Sequence, residues 1–506
     1  MTTVVIVGAG PTGLTLACGL ARQGVRVRLL DQAAAFATGS RGKTLNPRSL
    51  EVLADLGIAD RLAARGRTHL PYRKYFDGAF VADTDPYADA RPTPHAPYES
   101  GLYLPQWQVE ETLRERLAEL GGRVELDSRL DRFEQDADGV SALLADGRTI
   151  AADYLVACDG GRSTVRKRLG IPLEGSSDPG FALVCGDVEV AGLEPDAWHQ
   201  WFGPTGALLL CPLGDGNAWQ LQASPEFDAD GRPLPPSLES FRRLVELRTG
   251  RRDIRLARAT WLSTWRVNVR MVDRYRVGRV LLAGDCAHVH PIAGGLGMNT
   301  GIQDAWNLGW KLGHVLTGLA GPDLLDSYQE ERLPVAAWTL GVSSAGMAAV
   351  IEGVRTPGVG VEAGRVADAT GLGIDYRWSS LAEDRLGGPL RAGDRAPDAP
   401  CTGPDGEPVR LFEAFAGSHY TLLGFGPAAR PALEGLPAHV RPVAIDAGPG
   451  SLADHAGHAH RGYGITGDAL VLVRPDNHVA LTAPADAAAP EAVRAYLRRR
   501  CDAPGA

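Results

Sequence analysis

Residues 284–299, Gly-Asp-Cys-Ala-His-Val-His-Pro-Ile-Ala-Gly-Gly-Leu-Gly-Met-Asn, hold the densest set of groups able to do chemistry. An acid, two histidines and a run of glycines lie between a buried-type strand at 279–283 and a helical pattern at 301–312. A glycine-rich loop that opens a helix brings backbone N–H groups close to a phosphate or a large flat ligand. His288 and His290, with Asp285 and Cys286 nearby, raise the question of a metal. Histidines at i, i+2 without further carboxylate or cysteine support make a poor ligand set, so no metal site is expected. None of the seven cysteines forms a C-x-x-C, which excludes a zinc knuckle and dithiol redox chemistry.

A second glycine loop lies at the N-terminus. Residues 3–7 are apolar and β-branched, as in a central parallel strand. Gly8-Ala9-Gly10-Pro11-Thr12-Gly13 follows, then a helical pattern at 14–23, a strand at 25–30 and Asp31, 18 residues after Gly13. Strand, G-x-G-x-x-G, helix, strand and acid in register predict a dinucleotide site. Gly8 makes the tight turn, Gly10 admits a pyrophosphate and Gly13 lets helix and strand pack closely. Another glycine-rich stretch, 358–364, follows Thr356-Pro357 rather than a strand and is read as a loop.

A further buried-type strand, 154–158, runs into Asp159-Gly160-Gly161-Arg162-Ser163-Thr164-Val165-Arg166, where Ser163 or Thr164 is placed to cap a helix. Three motifs thus stand in order: G-x-G-x-x-G, D-G-x-x-S-x-V-R and G-D-x-x-H-x-x-P. This order resembles the FAD-dependent aromatic hydroxylases, the single-component flavoprotein monooxygenases related to p-hydroxybenzoate hydroxylase. Segments 104–113 and 275–285, and the tail from 391, are similar to the bacterial polyketide hydroxylases, so the resemblance spans nearly the whole chain.

The resemblance implies a role for each matching residue. Gly8, Gly10, Pro11, Thr12 and Gly13 would hold the FAD pyrophosphate, and Asp31 with Gln32 the adenosine ribose. Arg41 would reach the pyrophosphate, Gln106 would border the flavin and Asp159 would contribute to the cofactor groove. Asp285 would bond the ribityl chain, while Pro291 and the segment Gly294, Gly295, Leu296, Gly297, Met298 and Asn299 would line the isoalloxazine ring. A helix expected from near Thr300 would aim its positive end at the flavin pyrimidine edge. Read from the residues alone, Arg41 is equally an exposed loop arginine and Gln106 a helix-start residue. Arg162 and Arg166 are phosphate ligands or surface arginines. Cys286 stands where alanine is usual, Ile292 where proline is frequent, and Leu296 where polyketide-acting members are often polar; this leaves substrate and ring orientation open.

The expected fold is α/β: a Rossmann-like FAD-binding domain (1–75, 102–175 and 275–385), an inserted β-sheet substrate domain (76–101 and 176–274) and a C-terminal thioredoxin-like domain (391–506) without C-x-x-C. Strands are read at 181–190, 207–211, 218–223 and 259–267, and in the tail at 420–425, 440–445, 469–473 and 479–481, before a helix near 492–500. Trp201, Phe202, Trp219 and Trp261 suggest an aromatic-lined substrate pocket, with ordinary core packing as the alternative for each.

A chain of 506 residues with 44% hydrophobic content implies two or three domains. A net charge of -9 and the absence of a polybasic run argue against nucleic acid and membrane as partners. Scattered cysteines and no charged segment before the first strand suit a cytoplasmic enzyme, monomer or homodimer. The longest uncharged run, 333–351, contains proline, threonine, serines and glycines and reads as a packed helix. The activity implied is hydroxylation of a polycyclic aromatic small molecule through a flavin C4a-hydroperoxide, consuming O2 and NADPH or NADH. No side chain is assigned as catalytic, because the cofactor carries the chemistry. Baeyer–Villiger oxygenation, antibiotic-inactivating hydroxylation and a non-catalytic flavin-binding scaffold are the alternatives.

Overall fold

Val4, Val5 and Ile6 are fully buried, as a strand covered on both faces requires. The strand Thr3–Val7 pairs in parallel with Arg26–Leu30 on one side and Tyr154–Ala157 on the other. Val280–Leu282 lies beyond Tyr154–Ala157, and Val124–Glu125 beyond Arg26–Leu30; with Arg276–Val277 they make a six-stranded sheet. The computed structural model describes residues 3–501 except 215, 292, 366 and 367, so the departure noted at Ile292 lies outside the described residues. Because Thr3–Val7, Tyr154–Ala157 and Val280–Leu282 are adjacent and parallel, the three motifs leave the sheet from one edge. That edge, at the carboxyl ends of the strands, is where open α/β sheets bind ligands.

The helices Pro11–Ala21 and Leu296–Leu316 pack against each other beside this sheet. A three-stranded sheet of Leu130–Gln135, Val140–Leu144 and Thr149–Ala152, not anticipated from the sequence, adds to the same core.

An eight-stranded sheet is built on two long antiparallel strands, Glu174–Ala191 and Arg255–Met271. It continues through Ala218–Ala223, Leu208–Pro212 and Trp198–Phe202 to Tyr72–Phe76 and Ala79–Thr84. The boundary expected between 75 and 76 cuts the strand Tyr72–Phe76, which belongs whole to this sheet. At the opposite edge His288–Val289 pairs with Arg270 and Met271, so the third motif is stitched to both sheets.

The two faces of the large sheet differ. Val184, Val188, Trp201, Leu208, Leu210, Trp219 and Leu221 form a core with Phe241, Leu244 and Val245 of the helix Leu238–Thr249. The intervening residues Cys185, Asp187, Leu209, Cys211, Gln220 and Gln222 occupy the other face, toward the FAD-binding region.

The C-terminal unit is a mixed five-stranded sheet of Glu383–Asp384, Val479–Pro484, Ala469–Val473, Tyr420–Phe425 and Val440–Ile445, flanked by the helix Ala489–Cys501. Its pairing of Glu383 with Leu481 begins upstream of the expected boundary at 391. Trp310 of the helix Leu296–Leu316 enters its core beside Tyr420 and Leu472. The helix Asp326–Gly353 is long and apolar enough to cross a membrane by composition, yet it carries Glu331 and Arg332 fully buried in ion networks.

Candidate active site

The N-terminal turn shows a different constraint at each glycine. Gly8 has φ +104°, and a Cβ there would lie 2.3 Å from the Cys158 carbonyl oxygen. A Cβ on Gly13 would lie 2.0 Å from the Gly8 oxygen, whereas one on Gly10 meets nothing within 4 Å. Gly8 and Gly13 are thus required by packing, and Gly10 faces open space at the N-terminus of the helix Pro11–Ala21. Pro11 occupies the first helical turn, where a missing N–H costs nothing. Thr12 is wedged against the third motif: its Oγ1 lies 2.6 Å from a Cβ placed on Gly284 and 2.4 Å from one on Gly301. Asp31 accepts hydrogen bonds from Ala9 N at 2.8 Å and Ala33 N at 2.9 Å, one on each carboxylate oxygen. Each oxygen keeps a further lone pair. Gln32 is exposed beside it.

Asp159 caps the short helix Thr164–Arg168, accepting from Thr164 N at 2.7 Å and Val165 N at 3.3 Å. Its other oxygen, Oδ1, is buried without a hydrogen-bond partner among the described residues. Burial raises its pKa, and Ser163 with the backbone N–H groups of Val165 and Thr164 works against the rise. Arg166 is neither at the surface nor free for phosphate. Its guanidinium donates to the carbonyls of Cys286 and Gly161, both at 3.1 Å, and so locks the second motif to the third. Arg162 is exposed.

Asp285 is surrounded by protein, yet its side chain remains open to the groove. Burial raises its pKa, while His288 and Arg41 pull it down. Burial raises the pKa of Glu110, opposed by Gln106, Arg114 and Arg41; its carboxylate accepts from Gln106 Nε2 at 2.8 Å. Gln106 Oε1 in turn accepts from Gly42 N at 2.8 Å. Gln106 is the first residue of the helix Gln106–Glu119, so both sequence readings of it hold at once. Arg41 is exposed and forms no ion pair among the described residues.

Gly294 and Gly295 take φ of +76° and +63°, and the helix begins at Leu296 rather than near Thr300. Two successive left-handed residues turn the chain so that the first-turn N–H groups of this helix stay unpaired within it. Pro291 and Leu296 are buried, Gly297 and Met298 partly so. A Cβ on Gly42 would lie 3.1 Å from Met298 Sδ and 3.3 Å from Gln106 Oε1, which brings these three together. Asn299 is committed to protein contacts: Nδ2 donates to Thr44 O at 2.9 Å and Gly295 O at 2.8 Å, and Oδ1 accepts from Asn46 N at 2.9 Å.

The two histidines form a buried relay. His288 meets Asp304 at 2.6 Å and His290 Nε2 at 2.7 Å, so both ring nitrogens of His288 are spent within the protein, while His290 Nδ1 is buried without a hydrogen-bond partner among the described residues. Asp304 also accepts from Gly284 N at 3.1 Å and from Arg332 Nε at 2.7 Å. Burial disfavours its charge, but Arg332 and His288 hold it at a pKa of about 2. Asp304 and Arg332 lie outside every motif and were not found by sequence reasoning.

The pocket aromatics divide. Phe202 lies on the FAD-facing side with Tyr72, Tyr103 and Leu209. Trp261 braces the cofactor loop: a Cβ on Gly39 would be 2.2 Å from its Cγ. Trp201 and Trp219 are 1% exposed, on the opposite face, in the core beneath the helix Leu238–Thr249. Strand alternation sends them there, and the assignment of these two to the pocket is corrected. Between the flavin-side loop and the sheet lies a group that sequence reasoning missed. Lys43 Nζ donates to Gln220 Oε1 at 2.8 Å and Gln222 Oε1 at 3.2 Å and sits 4.3 Å from the Trp198 ring centroid. Asp187, directly opposite Gln220 in strand register, is 5% exposed.

These features fit FAD. An open Gly10 at a helix N-terminus and a free Arg41 suit a pyrophosphate, Asp31 suits a ribose diol, and Asp285 in its groove suits a polyol. The chain matches the FAD binding domain family over residues 1–342 and the aromatic-ring hydroxylase C-terminal family over 390–504. A flavin-dependent monooxygenase of Mycobacteroides abscessus is 41% identical over 495 residues, covering 94% of this chain and 96% of its own. The 12-dehydrotetracycline 5-monooxygenase/anhydrotetracycline 6-monooxygenase of Streptomyces rimosus is 33% identical, covering 95% of both. Among solved structures, aklavinone-11 hydroxylase in complex with FAD and aklavinone superposes with a TM-score of 0.83 at 29% identity over 98% of both chains. The chain therefore belongs to the FAD-dependent aromatic-ring hydroxylases and is a flavin monooxygenase of the polyketide hydroxylase type.

Proposed function

We infer that this enzyme hydroxylates a polycyclic, phenol-bearing aromatic compound at the expense of NAD(P)H and O2. The observation that carries this reading is the position of the loop holding Arg41 to Asn46. Asn299 of the flavin wall grips Thr44 and Asn46, and Lys43 of the same loop grips Gln220 and Gln222 of the large sheet. The loop thus joins the sheet face to the residues assigned to the isoalloxazine ring, so a flat ligand on that face would lie beside them.

Bound FAD supplies the redox chemistry, accepting hydride from the nicotinamide and delivering electrons to O2. The chain supplies position and field. Gly10 and Arg41 would hold the pyrophosphate, Asp31 and Gln32 the ribose, and Asp285 the ribityl hydroxyls. The unpaired N–H groups at the start of the helix Leu296–Leu316 would face the flavin pyrimidine edge, where their partial positive charge would stabilise negative charge. Ala293 packs on Val267 of the sheet and Met347 of the long helix, which fixes the loop that enters the glycine turn.

The test is turnover of the FAD-loaded protein with anhydrotetracycline, 6-methylpretetramide and aklavinone, the compounds named for relatives and neighbours. Ligand-stimulated NAD(P)H oxidation with one oxygen added to a ring carbon supports the reading. Oxygen inserted beside a ketone identifies Baeyer–Villiger chemistry instead, and NAD(P)H oxidation indifferent to every ligand contradicts both.

A further inference from the structure

Between the Arg41–Asn46 loop and the sheet face that meets it stand one cation from the loop and one carboxylate from the sheet, neither of them assigned to the cofactor. Lys43 Nζ is enclosed by protein and held by two neutral amide oxygens, Gln220 Oε1 at 2.8 Å and Gln222 Oε1 at 3.2 Å, with the Trp198 ring beneath it. It forms no ion pair among the described residues. Asp187 stands beside Gln220 in register; its Oδ1 is buried outside hydrogen-bond distance of any described partner, and Ser40 of the facing loop is the polar group beside the carboxylate. Asp187 too forms no ion pair there. A buried ammonium without a counter-ion and a buried carboxylate with an orphan oxygen are each costly, and such groups persist where a ligand completes them. Protein surrounds Lys43 on the sheet side, and the residue keeps partial exposure.

We propose that Lys43 and Asp187 form the anchor for an ionisable phenolic hydroxyl of the substrate: the Asp187 carboxylate takes the hydroxyl proton, and the Lys43 ammonium holds the resulting phenolate. The step breaks one O–H bond in the substrate and forms one on the carboxylate, with no electron transferred. The phenolate so made is the electron-rich ring that hydroxylation requires. The assignment rests on the aromatic hydroxylase reading above and names the residues that activate its substrate.

The surroundings suit the task. Burial raises Asp187 to a pKa of about 7, opposed by Ser40 and Lys43, which poises it as a base near neutrality. Burial lowers Lys43, and the Asp187 carboxylate opposes it. Cys185 and Cys211 are pushed up to about 12 by burial and stay neutral, so neither competes for the phenolate's counter-charge. Trp261, paired with Asp187 in register, adds an apolar neighbour from the adjoining strand.

The test uses alizarin, a dihydroxyanthraquinone whose visible band shifts on ionisation, titrated with pH on FAD-loaded protein. Wild type should ionise bound alizarin at a midpoint about one pH unit or more below that of the free dye. Lys43→Met should abolish that shift and weaken binding about ten-fold or more, while Lys43→Arg should retain most of it. Gln222→Glu, which gives Lys43 a carboxylate without changing side-chain size, should raise the midpoint. Asp187→Asn should lower the product formed per NAD(P)H consumed. FAD content reports whether each variant is folded. The anchor is overturned if wild type leaves the dye's midpoint unmoved or fails to bind it, or if folded Lys43→Met and Gln222→Glu titrate like wild type. Product formation by wild type alongside an unaffected Lys43→Met sinks the anchor alone. The absence of any ligand-stimulated turnover sinks the functional reading itself.

Discussion

Arg474 Nη1 lies 2.6 Å from Glu331 Oε1, with the two side chains 1% and 0% exposed. Arg474 belongs to the turn after the strand Ala469–Val473, and Glu331 to the long helix Asp326–Gly353. Asp476 of the same turn takes hydrogen bonds from Arg474 at 2.6 Å and Trp310 Nε1 at 3.0 Å, while Lys311 meets Glu331 at 2.7 Å. Burial works against the charge on Glu331, but Arg474 and Lys311 hold it well below the usual carboxylate range. The C-terminal sheet is thereby keyed into the two helices behind the flavin loop.

Removing one partner of this network should be severe. Arg474→Met leaves Glu331 and Asp476 under-compensated and should cost about 3–5 kcal/mol. Thermal unfolding of the FAD-loaded protein measures it. A loss below about 1 kcal/mol would place the network in water and contradict the buried geometry.

The glycine fingerprint should separate folding from cofactor binding. Gly13→Ala collides with the Gly8 carbonyl and should prevent folding of the first turn. Gly10→Ala meets open space at φ -75°, a conformation alanine adopts freely, so the apoprotein should keep its stability. FAD affinity should nonetheless fall about ten-fold or more, because the methyl occupies the pyrophosphate's approach. Unfolding midpoints of the apoproteins and flavin fluorescence titrations distinguish the two. Equal FAD affinity in Gly10→Ala and wild type would move the pyrophosphate elsewhere.

Acid stability should depend on Asp304. Its folded pKa of about 2 lies below the unfolded value, so the stabilisation is fully present above the unfolded pKa and disappears as pH falls through about 2. The contribution is roughly 2 kcal/mol. Urea unfolding of wild type and Asp304→Asn at descending pH should converge across that window. Parallel curves would show that Asp304 is not held by Arg332 and His288.

The strand, glycine turn and helix of the N-terminal motif were legible because their information is local. Gly8, Gly10, Gly13 and Asp31 lie within one strand–helix–strand unit, and the chemistry of each follows from its place in the turn. Lys43, Asp187, Asp304 and Arg332 were not legible, since each acquires its partner across the fold: Lys43 meets Gln220 and Gln222 177 and 179 residues away. Trp201 and Trp219 were misplaced for a different reason. Without the strand Trp198–Phe202, nothing revealed that Trp201 shares a face with His199 while Trp198, Gln200 and Phe202 share the other. Period-two alternation was the signal that would have sorted them.

The thiols should be inert in the folded state. Burial pushes Cys18, Cys185, Cys211 and Cys401 up to about 12 and Cys158 and Cys286 well above the usual thiol range. Because the thiolate is the reactive form, iodoacetamide near neutral pH should leave these six unlabelled in native protein and modify all of them in urea. Peptide mass spectrometry reads the outcome. Rapid native labelling of Cys286 would mean that its contacts to Ala157 O at 3.0 Å and Ala283 O at 3.1 Å do not persist in solution.

The central claim is that this chain uses bound FAD to place one atom of O2 on a phenolic polycycle. Turnover of the FAD-loaded enzyme under isotopically heavy O2, with NAD(P)H and the tetracycline- and anthracycline-type panel, tests it most directly. The account predicts a product carrying one heavy oxygen on a ring carbon, formed in proportion to the NAD(P)H consumed. Hydrogen peroxide as the sole oxygen product with every aromatic ligand, or a purified protein unable to retain FAD, would contradict it.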